Sequence, residues 1–176
     1  MLLIKCEDRF LKEKLTSLFR QKKLLLESEY SNKFFFGLNF TLVDNSLICQ
    51  LDQDMLKFKI PKNFNDIFEK IFDLVSNKSI HIKNYEYYPY KQIIKKGKKN
   101  LFLSEIQNMI LSHLLLNSIN GIEKIELIKN IWPNDKDIFF NKLDTHLTNL
   151  KNQLAEDIGF DLNFSSKSGI LKLCID

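Results

Sequence analysis

The chain has 176 residues, 44% hydrophobic and 27% charged, proportions that exclude a wholly disordered or fibrous protein. Lys and Arg number 26 against 22 Asp and Glu, a net charge of +4 that permits a polyanionic partner without requiring one. No stretch reaches the roughly 18 uncharged apolar residues of a membrane span, and Lys5 interrupts the apolar start before a signal-peptide core develops; a cytoplasmic protein with no membrane partner is expected.

Leu2-Leu3-Ile4 reads as a short buried strand, and Glu7 to Lys23 carries Phe10, Leu11, Leu15, Leu18 and Phe19 at helical spacing. Leu24-Leu25-Leu26 and Phe34-Phe35-Phe36 follow. Alternating patches at Leu38-Phe40-Leu42 and Met55-Leu56-Phe58 flank Asp44-Asn45-Ser46 and predict strands joined by turns. Asn63 is placed to cap a helix whose Phe64, Ile67, Phe68, Ile71, Phe72 and Val75 share one face. The polar Ser76-Asn77-Lys78-Ser79 divides the chain into domains 1–78 and 79–176. Charge does not mark this boundary, because each part holds 13 basic and 11 acidic residues.

The second part opens with strand-like pieces at Ile80-His81-Ile82, Tyr85 to Tyr90, Ile93-Ile94 and Leu101-Phe102-Leu103, with Lys95 to Asn100 as a turn between the last two. Ser104 and Gln107 form a capping box that opens a helix through Ile106, Ile110, His113 and Leu114, which Asn120-Gly121 breaks. A second helix carries Ile125, Ile128 and Ile131 and stops at Trp132-Pro133, with Trp132 as a core anchor. The third, from about Asp137 to Glu156, sets Phe139, Leu143, Leu147, Leu150 and Leu154 in one stripe. Leu162-Asn163-Phe164, the turn Ser165 to Gly169 and Leu171 to Ile175 close the chain as a hairpin. Overall the class is α+β, and the order strands, three helices, hairpin is that of a winged helix.

Opposite the apolar stripe of the third helix lie Asn141, Lys142, Thr145, Thr148, Asn149, Lys151, Asn152 and Gln153. Such a face is either plainly solvated or a nucleic-acid surface, since these side chains bond base edges and phosphates. Asp144 is its only acid before the helix end. Lys167 and Lys172 follow in the hairpin.

The segment from about Ile80 to Ile175 resembles the effector domain of OmpR/PhoB-type response regulators. Leu101-Phe102-Leu103-Ser104-Glu105-Ile106 is similar to that family's L-T-x-x-E motif, and Glu126 to Trp132 to its L-x-x-x-V-W ending of the second helix. Leu143 to Leu154 follows the recognition-helix pattern V-D-V-H-I-S-R-L-R-K-K-L, and Gly169-Ile170 stands where the wing has Gly-Tyr. The resemblance implies an N-terminal antiparallel sheet, three helices and a C-terminal hairpin, with the third helix in the major groove of double-stranded DNA. The expected DNA-binding residues are Asn141, Lys142, Thr145, His146, Thr148, Asn149, Lys151, Asn152 and Lys167. His146 is either a phosphate contact or, with Asp144, a partner of neighbouring backbone and loop groups. Binding by a monomer should be weak, so a homodimer or tandem sites are expected, with RNA polymerase as a further partner. The family's two arginines fall on Asn149 and Lys151, and Arg9 and Arg20 are the only arginines in the chain. Losing the guanine-gripping fork while keeping Asn, which suits adenine, implies A·T-rich sites. The Lys95 to Lys99 run is expected to be a solvated turn, because the family's N-terminal sheet lies away from DNA.

The same resemblance implies a receiver domain before the effector. Leu2 to Arg20 is similar to a receiver's first strand and helix, with Glu7-Asp8 as the acidic pair, and Lys59 to Phe64 to its K-P-F motif. The intervening chain is too short for five strand–helix units, so a small α/β receiver-like domain is expected, kept for dimerisation or docking and not phosphorylated. Asp44, the nearest phosphoacceptor candidate, sits in a turn-like Asp-Asn-Ser. No catalytic motif, metal site or cofactor is expected: His81 and His113 are scattered and expected to pack, and Cys6, Cys49 and Cys174 read as buried free thiols. The alternative function is a winged-helix protein-interaction module that has lost DNA binding.

Overall fold

The computed structural model describes residues 1–22, 33–135 and 140–174; the expectations placed on Leu24-Leu25-Leu26, Asp137, Phe139 and Ile175 fall outside them. The chain forms two compact units, Met1–Ile80 with Tyr88–Lys91, and His81–Tyr87 with Gln92–Asp176. Among the described residues no helix is long and apolar enough to cross a membrane.

In the first unit β1 (Leu2–Cys6) leads into α1 (Arg9–Gln21), and β2 (Phe36–Val43) returns parallel beside β1 with Leu2 facing Phe36 and Cys6 facing Phe40. A parallel return needs a crossover, which α1 supplies. Asp8 starts that helix by accepting the Leu11 N–H at 2.7 Å, satisfying one of its free donors. Beyond β2 the strand–helix alternation of a receiver stops. β3 (Ser46–Leu51) and β4 (Asp54–Lys59) follow as an antiparallel meander, giving the order β1-β2-β3-β4. Asp44 and Asp52 make its two-residue turns with φ of 50° and 54°, a region Asp enters more readily than most residues. Where two alternating patches predict two strands there are three, because Leu47, Cys49 and Leu51 alternate as well.

α2 (Phe64–Ser76) begins where Asn63 accepts the Asn65 N–H at 2.9 Å. Phe36, Leu38, Phe40, Leu47, Cys49 and Leu51 bury one face of the sheet with Leu15 and Phe19 of α1 and Ile67, Phe68, Ile71 and Val75 of α2. Phe19 and Phe68 meet at 5.1 Å between ring centroids, so both helices cover the same face. Phe10 departs from expectation at 75% exposed: it lies about 100° round the helix from the row that Leu11 begins. The cysteines also depart in part. All three are free thiols, but only Cys49 is buried, while Cys6 and Cys174 are half-buried. Burial pushes the Cys49 thiol up to about 12.

The second unit opens with an antiparallel sheet of β5 (Ile80–Ile82), β6 (Tyr85–Tyr88), β7 (Ile93–Lys96) and β8 (Lys99–Phe102), in that order. The β7–β8 turn is shorter than expected. Only Gly97 and Lys98 lie between the strands, and Lys95, Lys96, Lys99 and Asn100 belong to the ladder. α3 (Glu105–Leu116) starts at the expected capping box, in which Ser104 Oγ accepts from Gln107 N and Gln107 Oε1 accepts from Ser104 N. β9 (Ile122–Glu123), α4 (Lys124–Ile131), α5 (Phe140–Ile158), β10 (Asn163–Lys167) and β11 (Ile170–Cys174) complete the unit. The hairpin turn is again tighter than expected, Ser168-Gly169 alone joining β10 to β11.

β9 was not foreseen. It pairs with β11, Ile122 facing Leu171 and Glu123 facing Ile170, and makes the wing three-stranded in the order β10-β11-β9. Two residues are too few for a periodic signal. Leu143, Leu147, Leu150, Leu154 and Ile158 form the buried inner stripe of α5, which packs on α3 and α4, where Leu111, Leu114 and Leu127 are buried; Leu171 and Leu173 of β11 are buried in the same unit. At about 1.5–3 kcal/mol per buried aliphatic side chain, this stripe fixes which arc of α5 faces outward. His81 corrects expectation, being exposed, whereas His113 is buried.

Candidate nucleic-acid interface

α5 has 19 residues and is about 28 Å long. Its exposed arc centres on Asn141, Thr145, Thr148 and Asn152, with Asn149 on one side, spacings of four, three and four that return to one face. Thr145 Oγ donates to the Asn141 carbonyl at 2.8 Å and Thr148 Oγ to the Asp144 carbonyl at 2.9 Å. Their hydroxyl protons are thus held by the helix, leaving oxygen lone pairs and methyl groups outward. Among the described residues the Asn149 and Asn152 amides make no hydrogen bond, so both donor and acceptor edges face solvent.

The charged residues flank this arc. Asp144 pairs with Lys124 Nζ at 2.8 Å, which offsets its repulsion of an anion. Lys124 was not foreseen, although its position gives a signal: a lysine at the start of a helix opposes the macrodipole and needs another reason to be there. Lys142 pairs with Asp135 at 2.8 Å, its side chain 40% exposed, and lies 4.3 Å from the Trp132 ring centroid. Such an exposed pair contributes about 0–1 kcal/mol, little enough for Lys142 to exchange Asp135 for a phosphate. Lys151 donates to Asn163 Oδ1 at 3.3 Å and so links α5 to the first strand of the wing. Lys167 is exposed beside the wing turn.

Trp132 is half-buried and not the expected core anchor; its ring sits 5.5 Å from that of His146, tilted by 38°. His146 is thus set against an aromatic neighbour at the edge of the arc. Gln107 Nε2 donates to Gln153 Oε1 at 2.7 Å, which turns Gln153 toward α3. Asn141, Thr145, Thr148, Asn149 and Asn152 therefore share one face, Lys142 and His146 group around Trp132, Lys151 marks the seam with the wing, and Lys167 stands apart on the wing. Among the described residues no group of three His, Cys, Asp or Glu side chains could hold a metal ion.

A four-stranded antiparallel sheet, three helices and a terminal hairpin joined by a short third strand define the second unit as a winged helix, the architecture implied by the resemblance to OmpR/PhoB-type effector domains. No family model and no curated protein matches the chain. Among solved structures it is similar to the DNA-binding domain of E. coli CadC, at 17% identity over 57% of this chain and 95% of that one, with a TM-score of 0.47. The C-terminal domain of the nisin resistance regulator NsrR is similar at 26% identity over 55% and 96%, with a TM-score of 0.45. Over 99% of this chain and 67% of the other, the protein is similar at 13% identity and a TM-score of 0.46 to a member of a streptococcal family of redox sensors evolved from two-component response regulators. The fold assignment rests on the chain's own topology.

Proposed function

We propose that this protein is a DNA-binding transcriptional regulator of the response-regulator type that lays α5 in the major groove and works without phosphorylation. The observation that carries the proposal is the exposed arc of α5. It is long, polar and rich in amide side chains, its single acid before the last turn is paired, and a lysine-bearing wing adjoins it. A major groove about 12 Å wide admits such a helix. Asn141, Thr145, Thr148, Asn149 and Asn152 face the bases, and Lys142, His146, Lys151 and Lys167 face phosphates. With amides in place of guanidinium forks, adenine N6 and N7 are the matching edge, so A·T-rich sites are preferred. A monomer with so few cations binds weakly; the functional form is a homodimer, with residues 1–78 as its platform and RNA polymerase as a further partner.

Independence from phosphorylation is supported by Asp44. It occupies the turn of a hairpin at φ 50°, whereas phosphoryl transfer requires an acceptor, a metal site and a positioned lysine together. Two experiments test the whole. Titration of labelled A·T-rich and mixed duplexes at two salt concentrations should show tighter, salt-dependent binding to the former; equal, undetectable binding would sink the proposal. Incubation with a small phosphodonor and magnesium should leave the intact mass unchanged, and an adduct lost on Asp44→Ala would overturn phosphorylation independence. The alternative, a protein-interaction module, calls for an exposed apolar patch on α5. Among its described residues Phe140, at the first turn, is the large apolar side chain exposed, at 43%.

A further inference from the structure

β4 forms one edge of the first unit's sheet, whose order is β1-β2-β3-β4. Its six residues, Asp54–Lys59, pair with β3 without a bulge, from Leu51 facing Asp54 to Ser46 facing Lys59. Among the described residues no backbone hydrogen bond takes its other side. A strand edge is closed to other chains by shortness, a proline, a bulge, a covering element or charge. β4 is of ordinary strand length, Pro61 lies beyond the ladder, and Met55, Lys57 and Lys59 are exposed, Met55 at 65%. Charge is left to decide what can pair there.

The register fixes which charge that is. Leu56 and Phe58 face Cys49 and Leu47, so they lie on the side of the sheet that α1 and α2 cover. Met55, Lys57 and Lys59 alternate with them and stand on the other side, opposite Gln50, Ile48 and Ser46. That side continues through Asn39, Thr41 and Val43 to Lys5. Its strand residues carry lysine as their one kind of charge, at Lys5, Lys57 and Lys59. The acids are placed elsewhere. Asp54 shares the helix side with Leu56 and holds Lys78 at 2.8 Å, Asp44 and Asp52 make the turns, and Glu7 follows the end of β1. Among the described residues neither Lys57 nor Lys59 has an ion-pair partner. Edge-to-edge pairing with a second copy would bring lysine beside lysine, which is unfavourable, whereas a strand with carboxylates at alternate positions would be drawn in.

We propose that the β4 edge takes an extended, acidic segment of a partner protein as a fifth strand, its carboxylates beside Lys57 and Lys59 and its alternate, apolar side chains beside Leu56 and Phe58. Main-chain hydrogen bonds along the edge supply the hold, and the lysines supply the selection. The proposal does not depend on α5 or on DNA binding. The test uses the full chain, labelled with nitrogen-15, and a capped peptide of alternating Glu and Val as long as β4, at about 50 mM salt so that screening is slight. At millimolar peptide the Asp54–Lys59 amides should shift in NMR spectra and exchange more slowly, whereas the same peptide with Lys for Glu should leave them in place. Lys57→Gln with Lys59→Gln should weaken binding about 2- to 30-fold, the range for two opposite-charge cross-strand pairs. Lys57→Glu with Lys59→Glu should reverse the preference in favour of the lysine peptide, a gain that a misfolded chain could not show. Failure of the Glu-Val peptide to shift the β4 amides, equal binding of the two peptides, or equal shifts by a version with proline at alternate positions overturns the proposal. So does a mixed-sequence DNA duplex that shifts these amides where the peptide does not, which would make the edge a nucleic-acid surface.

Discussion

His113 on α3 is 5% exposed, and burial, which strips water from the charged imidazolium, lowers its pKa from the usual 6.5 to about 4. Below the ordinary value the unfolded chain takes up a proton that the folded chain refuses. The stability that neutral His113 contributes is therefore complete above pH 6.5, falls as the pH drops through that value, and stops falling near pH 4. Linkage gives a loss of about 1 kcal/mol at pH 5.5 and about 2–3 kcal/mol at pH 4.5, out of a total of about 3 kcal/mol. Urea unfolding followed by Trp132 fluorescence isolates this effect, because the chain's one tryptophan lies in the same unit as His113. His113→Gln should be less stable at neutral pH yet lose less on acidification. The gap between the two proteins should narrow by about 1 kcal/mol between neutral pH and pH 5.5. Parallel stability profiles for the two proteins would refute the reasoning.

The fully buried Tyr87 hydroxyl bonds Asn108 Oδ1 at 2.6 Å and Ser112 Oγ at 2.7 Å, so Tyr87→Phe should cost about 1–3 kcal/mol in chemical denaturation. Adding Ser112→Ala should cost less than the sum of the single changes. Gly121 has φ 78°, and a Cβ there would lie 2.6 Å from Ile170 Cγ2 and 3.0 Å from the Leu171 carbonyl oxygen. Gly121→Ala should destabilise by more than about 1 kcal/mol and remove hydrogen-exchange protection at the β9–β11 pairing first. Leu150→Ala, at a fully buried position, should lower stability by about 2–5 kcal/mol. Ser104→Ala should cost about 1 kcal/mol through loss of the α3 cap.

Those elements of the fold that depend on short-range chemistry were legible. The cap at Asn63, the box at Ser104 and Gln107, and the stripe from Leu143 to Leu154 need only residues three or four apart, and each stands where spacing places it. Contacts across the chain were not. Trp132 after a helix resembles any core aromatic until α5 brings Lys142 and His146 to its ring. Lys124 reads as an ordinary surface charge until Asp144 arrives from 20 positions away. Strand ends were also blurred, because Lys95, Lys96, Lys99 and Ser165 to Lys167 carry turn-like or polar side chains while their backbones continue the ladder. For the interface, the polar arc was visible from periodicity, but the threonine hydroxyls committed to their own helix were not.

The meander of the first unit sets an order of assembly. β2, β3 and β4 are neighbours in sequence as well as in space, joined by two-residue turns, so little loop entropy is lost before their pairing is rewarded. The wing is the opposite case. β11 must find β9 across the whole of α4 and α5, Ile170 to Glu123 and Leu171 to Ile122, and Leu171 and Leu173 bury themselves against the helical core. During synthesis the meander can form from a short emerged segment, whereas the side of α3 that packs on β11 stays uncovered until that strand has emerged. A stalled or clipped chain lacking β11 would therefore leave β9 unpaired and uncover the side of α3 that β11 packs on, and should be held by chaperones or degraded before it could occupy a site.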